Sequence, residues 1–305
     1  MPRRKRRGKR RSRRKGARSD ASYAPAPKRR RVSPDREKKY LSTDPYVLNH
    51  PLIVPLLARL RSIVPSATRP RWDLRPAVWT AYLAGHPDRE FAARVVRNNT
   101  EGWPTTRTTT WEGTGDCEEY RATVEEIASG LEKVLRRADI GYLWGPFPTL
   151  ESTPFNILEI MTHELFYKHE LDKIRSLLNM SCQCRGKSLN EQISDDDKWV
   201  RYVRVLDIVE RIVKCGLKYL WCADAYEAYC RVPLETRMIP LLGFRICGYY
   251  FFYTCLVMGY SPSSRVYTEF GDALQWICVH RDPSLFRQEV DGEWFDLLLH
   301  YLDGL

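Results

Sequence analysis

Two aspartates close apolar runs in the last third of the 305-residue chain: Asp224 ends "LKYLWCAD", and Asp303 follows the run in "WFDLLLHYLDGL". Each run reads as a short buried strand, which puts each carboxylate at a strand end. Carboxylates from neighbouring strand ends can bridge two divalent ions. Phosphoryl transfer to a polynucleotide needs that arrangement, because one ion activates the attacking hydroxyl while the other stabilises the leaving pyrophosphate. Hard oxygen ligands favour Mg²⁺. The same residues have a plainer use: aspartates start turns, and Asp303-Gly304 is a two-residue hairpin signal. Taken alone, the pair favours the turn.

Elements able to position such a site can be read along the chain. "HPLIVPLLARLRSIV" and "HPDREFAARVVRNN" space their apolar residues as helices. Residues 123–138 form the best-defined helix, with a Thr123/Glu126 capping box and one apolar face from Val124 to Ala138. "NTEGWPTTRTTTWEGTGD" and "CRGKSLNEQISDDDK" read as loops. "KIRSLLNMS" reads as a strand, and a further helix is expected to open at Asp207, capped by Asp207 and Glu210. Beyond it the order is strand ("LKYLWCAD"), hairpin ("LLGFRI" and "YYFFYTCL" about Cys247-Gly248), helix from Ser261 and Pro262, and a last strand, "WFDLLLHYL". This predicts an α+β fold with a small, mostly antiparallel sheet backed by helices.

Charge divides the chain differently. Residues 1–39 hold 19 Lys and Arg against 3 acids, leaving 30 basic and 35 acidic residues for the remainder, so the net charge of +11 belongs to a tail. Almost devoid of large aliphatic residues, this tail cannot offset the entropy of folding and is expected to be disordered. Its first basic block, which opens Arg3, Arg4, Lys5, Arg6, Arg7, suits phosphate-backbone neutralisation. Its second, Lys28, Arg29, Arg30, Arg31 within "PKRRRV", reads as a signal for a nuclear import receptor. RNA and DNA are the expected partners and the nucleus the expected location. The longest apolar run, "YYFFYTCLVMGY", is too short to span a bilayer, so no membrane is expected. Nine cysteines without framework spacing read as reduced core thiols; Cys182 and Cys184, with His163 and His169 nearby, lack the second ligand pair that a structural zinc site shows.

Several boxes in fixed order add to this reading. Asp224, Ala225, Tyr226, Glu227, Ala228 and Tyr229 are followed by Gly243-Phe244, then by Val257, Met258, Gly259, Tyr260 and Ser261 before a helix, then by Tyr301 to Gly304. Upstream lie Lys173-x-Arg175 and Gly186-x-Ser188-x-Asn190. Over residues 75–305 this succession resembles the reverse transcriptase domain of retroelements. "HPDREFAARVVRNNTEGW" and the "GPF…TPF" of residues 145–155 are similar to the approach region of DIRS-type tyrosine-recombinase retrotransposons. The resemblance implies a polymerase right hand with fingers and a partial palm, divided as a disordered basic tail (1–40), a helical approach region (41–150) and reverse transcriptase-like fingers and truncated palm (151–305). It also implies RNA-directed DNA polymerisation, with Asp224 and Asp303 holding Mg²⁺ or Mn²⁺. Lys173 and Arg175 would grip the incoming triphosphate, Tyr229 would lie under its sugar, and Gly259 would let backbone approach the template or nucleotide.

Departures accompany the likeness. Gly304 stands where the family has a second aspartate, Val257-Met258 where it has Pro-Phe, and Glu191 where it has Asp. With nothing after Leu305, the remaining palm strands, a thumb, a ribonuclease H and a recombinase are expected to be lacking. The activity is therefore expected to be degraded in this chain. The alternative reading is a non-enzymatic nuclear nucleic-acid-binding protein, Gag-like or co-opted, in which the palm survives as scaffold.

Overall fold

The computed structural model describes residues 38–65, 75–107, 114–156, 158–168, 173–183, 186–222 and 225–299. The basic blocks at Arg3–Arg7 and Lys28–Arg31 lie outside these residues, as do Asp224, Asp303 and Gly304.

Short helices α1 (Pro45–Leu48), α2 (Val54–Ser62), α3 (Pro76–Leu83) and α4 (Arg89–Glu101) come first, and α4 is capped by the Asp88 carboxylate accepting from the Phe91 amide at 2.8 Å. Strand β1 (Thr114–Asp116) precedes α5 (Val124–Asp139). The capping box at Thr123 is formed as the sequence predicts: Thr123 Oγ1 accepts from the Glu126 amide at 3.2 Å, and Glu126 Oε2 accepts from the Thr123 amide at 2.9 Å. Ile127, Leu131, Val134 and Leu135 are buried on one face of α5, each worth roughly 1.5–3 kcal/mol of transfer free energy. Gly130 in the same helix allows close packing on the sheet, since a Cβ there would stand 2.7 Å from the Leu165 methyls.

Strands β2 (Leu143–Phe147), β3 (Leu158–Lys168), β4 (Lys173–Asn179), β5 (Gly243–Ile246) and β6 (Tyr249–Tyr253) complete a six-stranded sheet of order β1-β3-β5-β6-β2, with β4 paired to β3. The sheet is mixed: β1 and β5 run parallel to β3, while the β3–β4, β5–β6 and β2–β6 pairs are antiparallel. An α+β fold is what the sequence predicts, but the sheet is less antiparallel than expected. It also draws strands from both sides of residue 150. Phe251 and Phe252 show the two faces: Phe251 joins Phe244 in the main core under α5, whereas Phe252 packs with Trp144, Phe147, Ile160 and Ile239 on the other side.

The remaining elements are α6 (Leu189–Gln192), α7 (Val205–Lys214), α8 (Ser263–Arg281), α9 (Pro283–Phe286) and a separate hairpin, β7 (Arg287–Val290) with β8 (Glu293–Asp296). Three of the expected elements differ in the fold. Helix α7 opens at Val205, not at Asp207, because the Asp207 carboxylate reaches back to the Arg204 amide at 2.8 Å from the third helical position. The strand expected in "LKYLWCAD" is not formed over residues 217–222. Instead, Gly216 adopts φ 60° and the Leu217 amide bonds back to the Ile212 carbonyl at 3.0 Å, a helix stop after which residues 217–222 join no strand. Tyr219, Leu220 and Trp221 are exposed there. Among the described residues the last strand covers Glu293–Asp296 and pairs with β7, since Asp291 and Gly292, at φ 53° and 82°, make a tight hairpin turn between them; residues 300–302 of the expected strand lie outside the described residues. Among the thiols, Cys117 is disulfide-bonded, which corrects the reading of nine reduced cysteines; Cys182, Cys215, Cys222, Cys230, Cys247, Cys255 and Cys278 are free. No helix among the described residues is long and apolar enough to cross a membrane.

Candidate functional site

The turn into α8 gathers more of the sequence-predicted residues than any other place described. Gly259 occupies this turn at φ 100°, and a Cβ on it would stand 2.3 Å from the Leu178 carbonyl of β4. Glycine is required there because two backbones meet, one of them the strand that begins with Lys173. Arg175 is half-buried on β4, opposite Phe166 of β3, and shares a strand face with Leu177. Leu177 in turn approaches Gly259, its Cδ1 lying 3.1 Å from that same Cβ position. The strand that carries the basic pair and the glycine turn are therefore packed together.

Asn190 is the residue that sequence reading placed in a box without giving it a role. Its Nδ2 donates to the Gly259 carbonyl at 2.9 Å and its Oδ1 accepts from the Ser261 amide at 2.9 Å. Its own amide donates to the Met180 carbonyl at 3.1 Å. One residue, by its backbone amide and its side chain together, thus ties the end of β4, α6 and the turn into α8. Ser188, two residues earlier, makes α6 possible: its Oγ accepts from the Glu191 amide at 3.3 Å while Glu191 Oε2 accepts from the Ser188 amide at 2.6 Å. Glu191 is thereby a capping residue, a use that its backbone partners alone explain. They also hold its carboxyl below the usual carboxylate range.

Tyr229 approaches the same helix from another segment. It belongs to a 3-10 turn, Ala228–Arg231, and its hydroxyl lies 3.1 Å from Ser264 Oγ in the first turn of α8. Its ring meets Tyr267 edge-on, with centroids 5.5 Å apart. Burial lifts its phenol above the ordinary tyrosine value. Immediately before the turn, Glu227 Oε1 accepts from Arg136 at 2.7 Å and from Arg137 Nε at 3.0 Å, fastening the turn to the end of α5.

A cleft of about 810 Å³ lies elsewhere, between α7, α8 and β8, lined among others by Trp199, Tyr202, Asp207, Arg211, Asp272 and Trp294. None of Arg175, Tyr229 and Gly259 lines it. Its walls mix Arg201, Arg211, Arg265 and Arg287 with Asp196, Asp207, Glu210, Glu269, Asp272 and Asp296, and part of this charge is paired internally, as in Arg265–Glu269 and Arg287–Asp296. Among the described residues no group of three or more His, Cys, Asp and Glu side chains is placed to hold a metal ion. The two carboxylates on which the metal reading depends lie outside those residues. His163, weighed with the zinc idea, is buried, its Nε2 2.6 Å from Ser176 Oγ and its ring 4.4 Å from that of Phe244.

No known family model matches the chain, and no curated protein matches it in sequence.

Proposed function

We propose that this chain is a reverse transcriptase-type module, fingers with part of a palm, derived from a retroelement. Its ancestral activity is RNA-directed DNA polymerisation by two-metal nucleotidyl transfer. In this reading Asp224 and Asp303 are the ligands of Mg²⁺ or Mn²⁺, and the ions supply nucleophile activation and charge neutralisation. Lys173 and Arg175 hold the triphosphate, Tyr229 lies beneath the sugar, and Gly259 belongs to the wall on which template and nucleotide meet. One observation supports it most. Residues from three separately spaced boxes, Asn190, Tyr229 and Gly259, converge on the start of α8, directly after the β5–β6 hairpin. Gly304 in place of a carboxylate leaves the metal site one ligand poorer, so the chain is a degraded polymerase whose remaining contacts with RNA and DNA reside largely in the basic tail.

A second reading, a non-enzymatic nuclear nucleic-acid-binding protein, is favoured by residues 217–222, which lead towards Asp224 yet stay outside the sheet.

Primer extension on an RNA template, with Mg²⁺ or Mn²⁺, separates these readings when run beside deoxynucleotide crosslinking. The degraded polymerase gives no extension but retains crosslinking that falls in Arg175→Ala. Extension that disappears in Asp224→Ala overturns the degradation; crosslinking indifferent to Arg175 overturns the polymerase reading and leaves the second.

A further inference from the structure

Helix α7 turns an apolar face to solvent, and the function proposed above makes no use of it. The helix reads VLDIVERIVK, and none of its 10 residues is buried. It is nevertheless fixed in place by the β7–β8 hairpin. Arg211 donates to the Asp296 carbonyl, the Lys214 ammonium stands 5.3 Å from the centre of the Phe295 ring, and Gln288 Nε2 donates to the Cys215 carbonyl at 3.3 Å just past the helix end. Ile208 and Ile212 are half-buried, so only part of the apolar arc of this helix is covered.

The uncovered part has a regular spacing. Leu206, Val209 and Val213 follow one another at three and four residues and therefore share one face, with Val205 beside them. Val205, Leu206 and Val213 are 74 %, 69 % and 73 % exposed. Single exposed aliphatics are ordinary, but an aligned row of them on a fixed helix is the mark of an interaction surface. The nearby charges are engaged along the helix itself, Arg204 with Asp207 and Lys214 with Glu210, each at 2.8 Å. What the face calls for is an apolar partner.

We propose that this face joins two copies of the chain, with their α7 helices packed antiparallel. A three-four spacing of apolar residues is the seam along which helices pair. A two-fold axis passing between Asp207 and Ile208 sets Leu206 of each copy level with Val209 of the other, so one surface serves as both partners. The antiparallel arrangement also opposes the two helix dipoles. Area agrees with this occupant. The helix is only about 15 Å long, but Trp199, Tyr219 and Trp221 flank it in the chain and are exposed. At about 150–250 Å² for each aromatic side chain, they bring the apolar surface of one copy to the order of the roughly 800 Å² per partner that a stable interface covers.

Sedimentation equilibrium of the full chain, treated with nuclease and run over a range of concentrations in low and high salt, tests this. The expected result is a monomer–dimer equilibrium that persists in high salt, because burial of apolar surface drives it. Leu206→Glu with Val213→Glu places two carboxylates of each copy in the seam and should weaken association by about 100-fold or more. Both positions are exposed, so the urea midpoint of the dissociated variant should stay close to that of the native monomer. A chain that remains monomeric at the highest concentration, a dimer that dissolves in high salt, or one that the paired substitution leaves intact overturns the proposal. The native chain alone gives the first two outcomes, so a poorly folding variant does not shield the proposal.

Discussion

The carboxamide of Asn190 holds Gly259 in place, donating from Nδ2 to its carbonyl at 2.9 Å while Oδ1 accepts from the Ser261 amide, also at 2.9 Å. Removing it leaves a partly buried backbone donor and an acceptor unpaired. Asn190→Ala is expected to destabilise the fold by about 1–3 kcal/mol, and Asn190→Asp, which keeps the acceptor, by less. Urea denaturation of the two variants checks both the cost and its order.

Gly259 and Gly248 share a positive φ but differ in surroundings. A Cβ at Gly248 meets nothing within 4 Å, while one at Gly259 would overlap the Leu178 carbonyl at 2.3 Å. Gly248→Ala should therefore cost only the left-handed backbone penalty, roughly 1–2 kcal/mol. Gly259→Ala should cost clearly more, because β4 must move. If urea midpoints fall equally, the packing of the turn on β4 is not what fixes this glycine.

These contacts show what was legible in sequence and what was not. The capping box of α5 and the Cys247-Gly248 hairpin depend on residues a few positions apart, and local patterns specify them, whereas α6 forms inside a stretch that reads as a loop. The 217–222 run reads as a strand although none forms, because a short apolar stretch carries no period of its own. What displaced it was another local signal, the Gly216 helix stop. Likewise Asp291-Gly292, the same two-residue signal as Asp303-Gly304, makes the hairpin that precedes residue 300. Asn190 was visible as part of a box, but its bonds to residues 259 and 261 join segments far apart in sequence, which no spacing rule reveals.

His163 gives a pH signature. Burial, with Arg137 and Lys133 nearby, pushes its imidazole down to about 3, so it stays neutral in the folded chain where the unfolded chain would bind a proton. The depressed value means that the stabilising contribution is fully present above the unfolded pKa of about 6.5 and is lost progressively as pH falls from there towards 3. His163→Gln, which can still reach Ser176, should flatten that part of the stability profile. Urea midpoints of both chains between pH 7 and pH 4, differing by a constant amount, would count against this assignment.

The tail is expected to act independently of the body. Residues 1–39 fused to a fluorescent reporter should accumulate in the nucleus; an even distribution refutes the import reading. Binding of the full chain to an oligonucleotide should fall steeply with salt as counterions are released, and removal of residues 1–39 should abolish most of it. Equal affinities with and without the tail across a salt series would place the binding in the net-acidic remainder.

Glu227 sets two opposing effects at one position. Its side chain is 11 % exposed and accepts from both Arg136 and Arg137, the latter itself 14 % exposed. Its backbone, at φ 49°, lies where a side chain costs about 1–2 kcal/mol and glycine costs little. Removing the carboxylate leaves Arg137 with the Tyr253 hydroxyl, 2.7 Å away, as its remaining described partner, and loss of one member of a buried ion pair typically costs about 3–5 kcal/mol. The electrostatic loss exceeds the backbone relief, so Glu227→Ala and Glu227→Gly should both be destabilised. Glu227→Gly should be the milder by about 1 kcal/mol, because it alone releases the left-handed strain. Glu227→Gln, which keeps an acceptor but no charge, should fall between the native chain and Glu227→Ala. Chemical denaturation of the three variants in parallel reads this order. A Glu227→Gly chain as stable as the native one would mean that backbone strain, not the paired arginines, dominates the energetics of the turn that carries Tyr229.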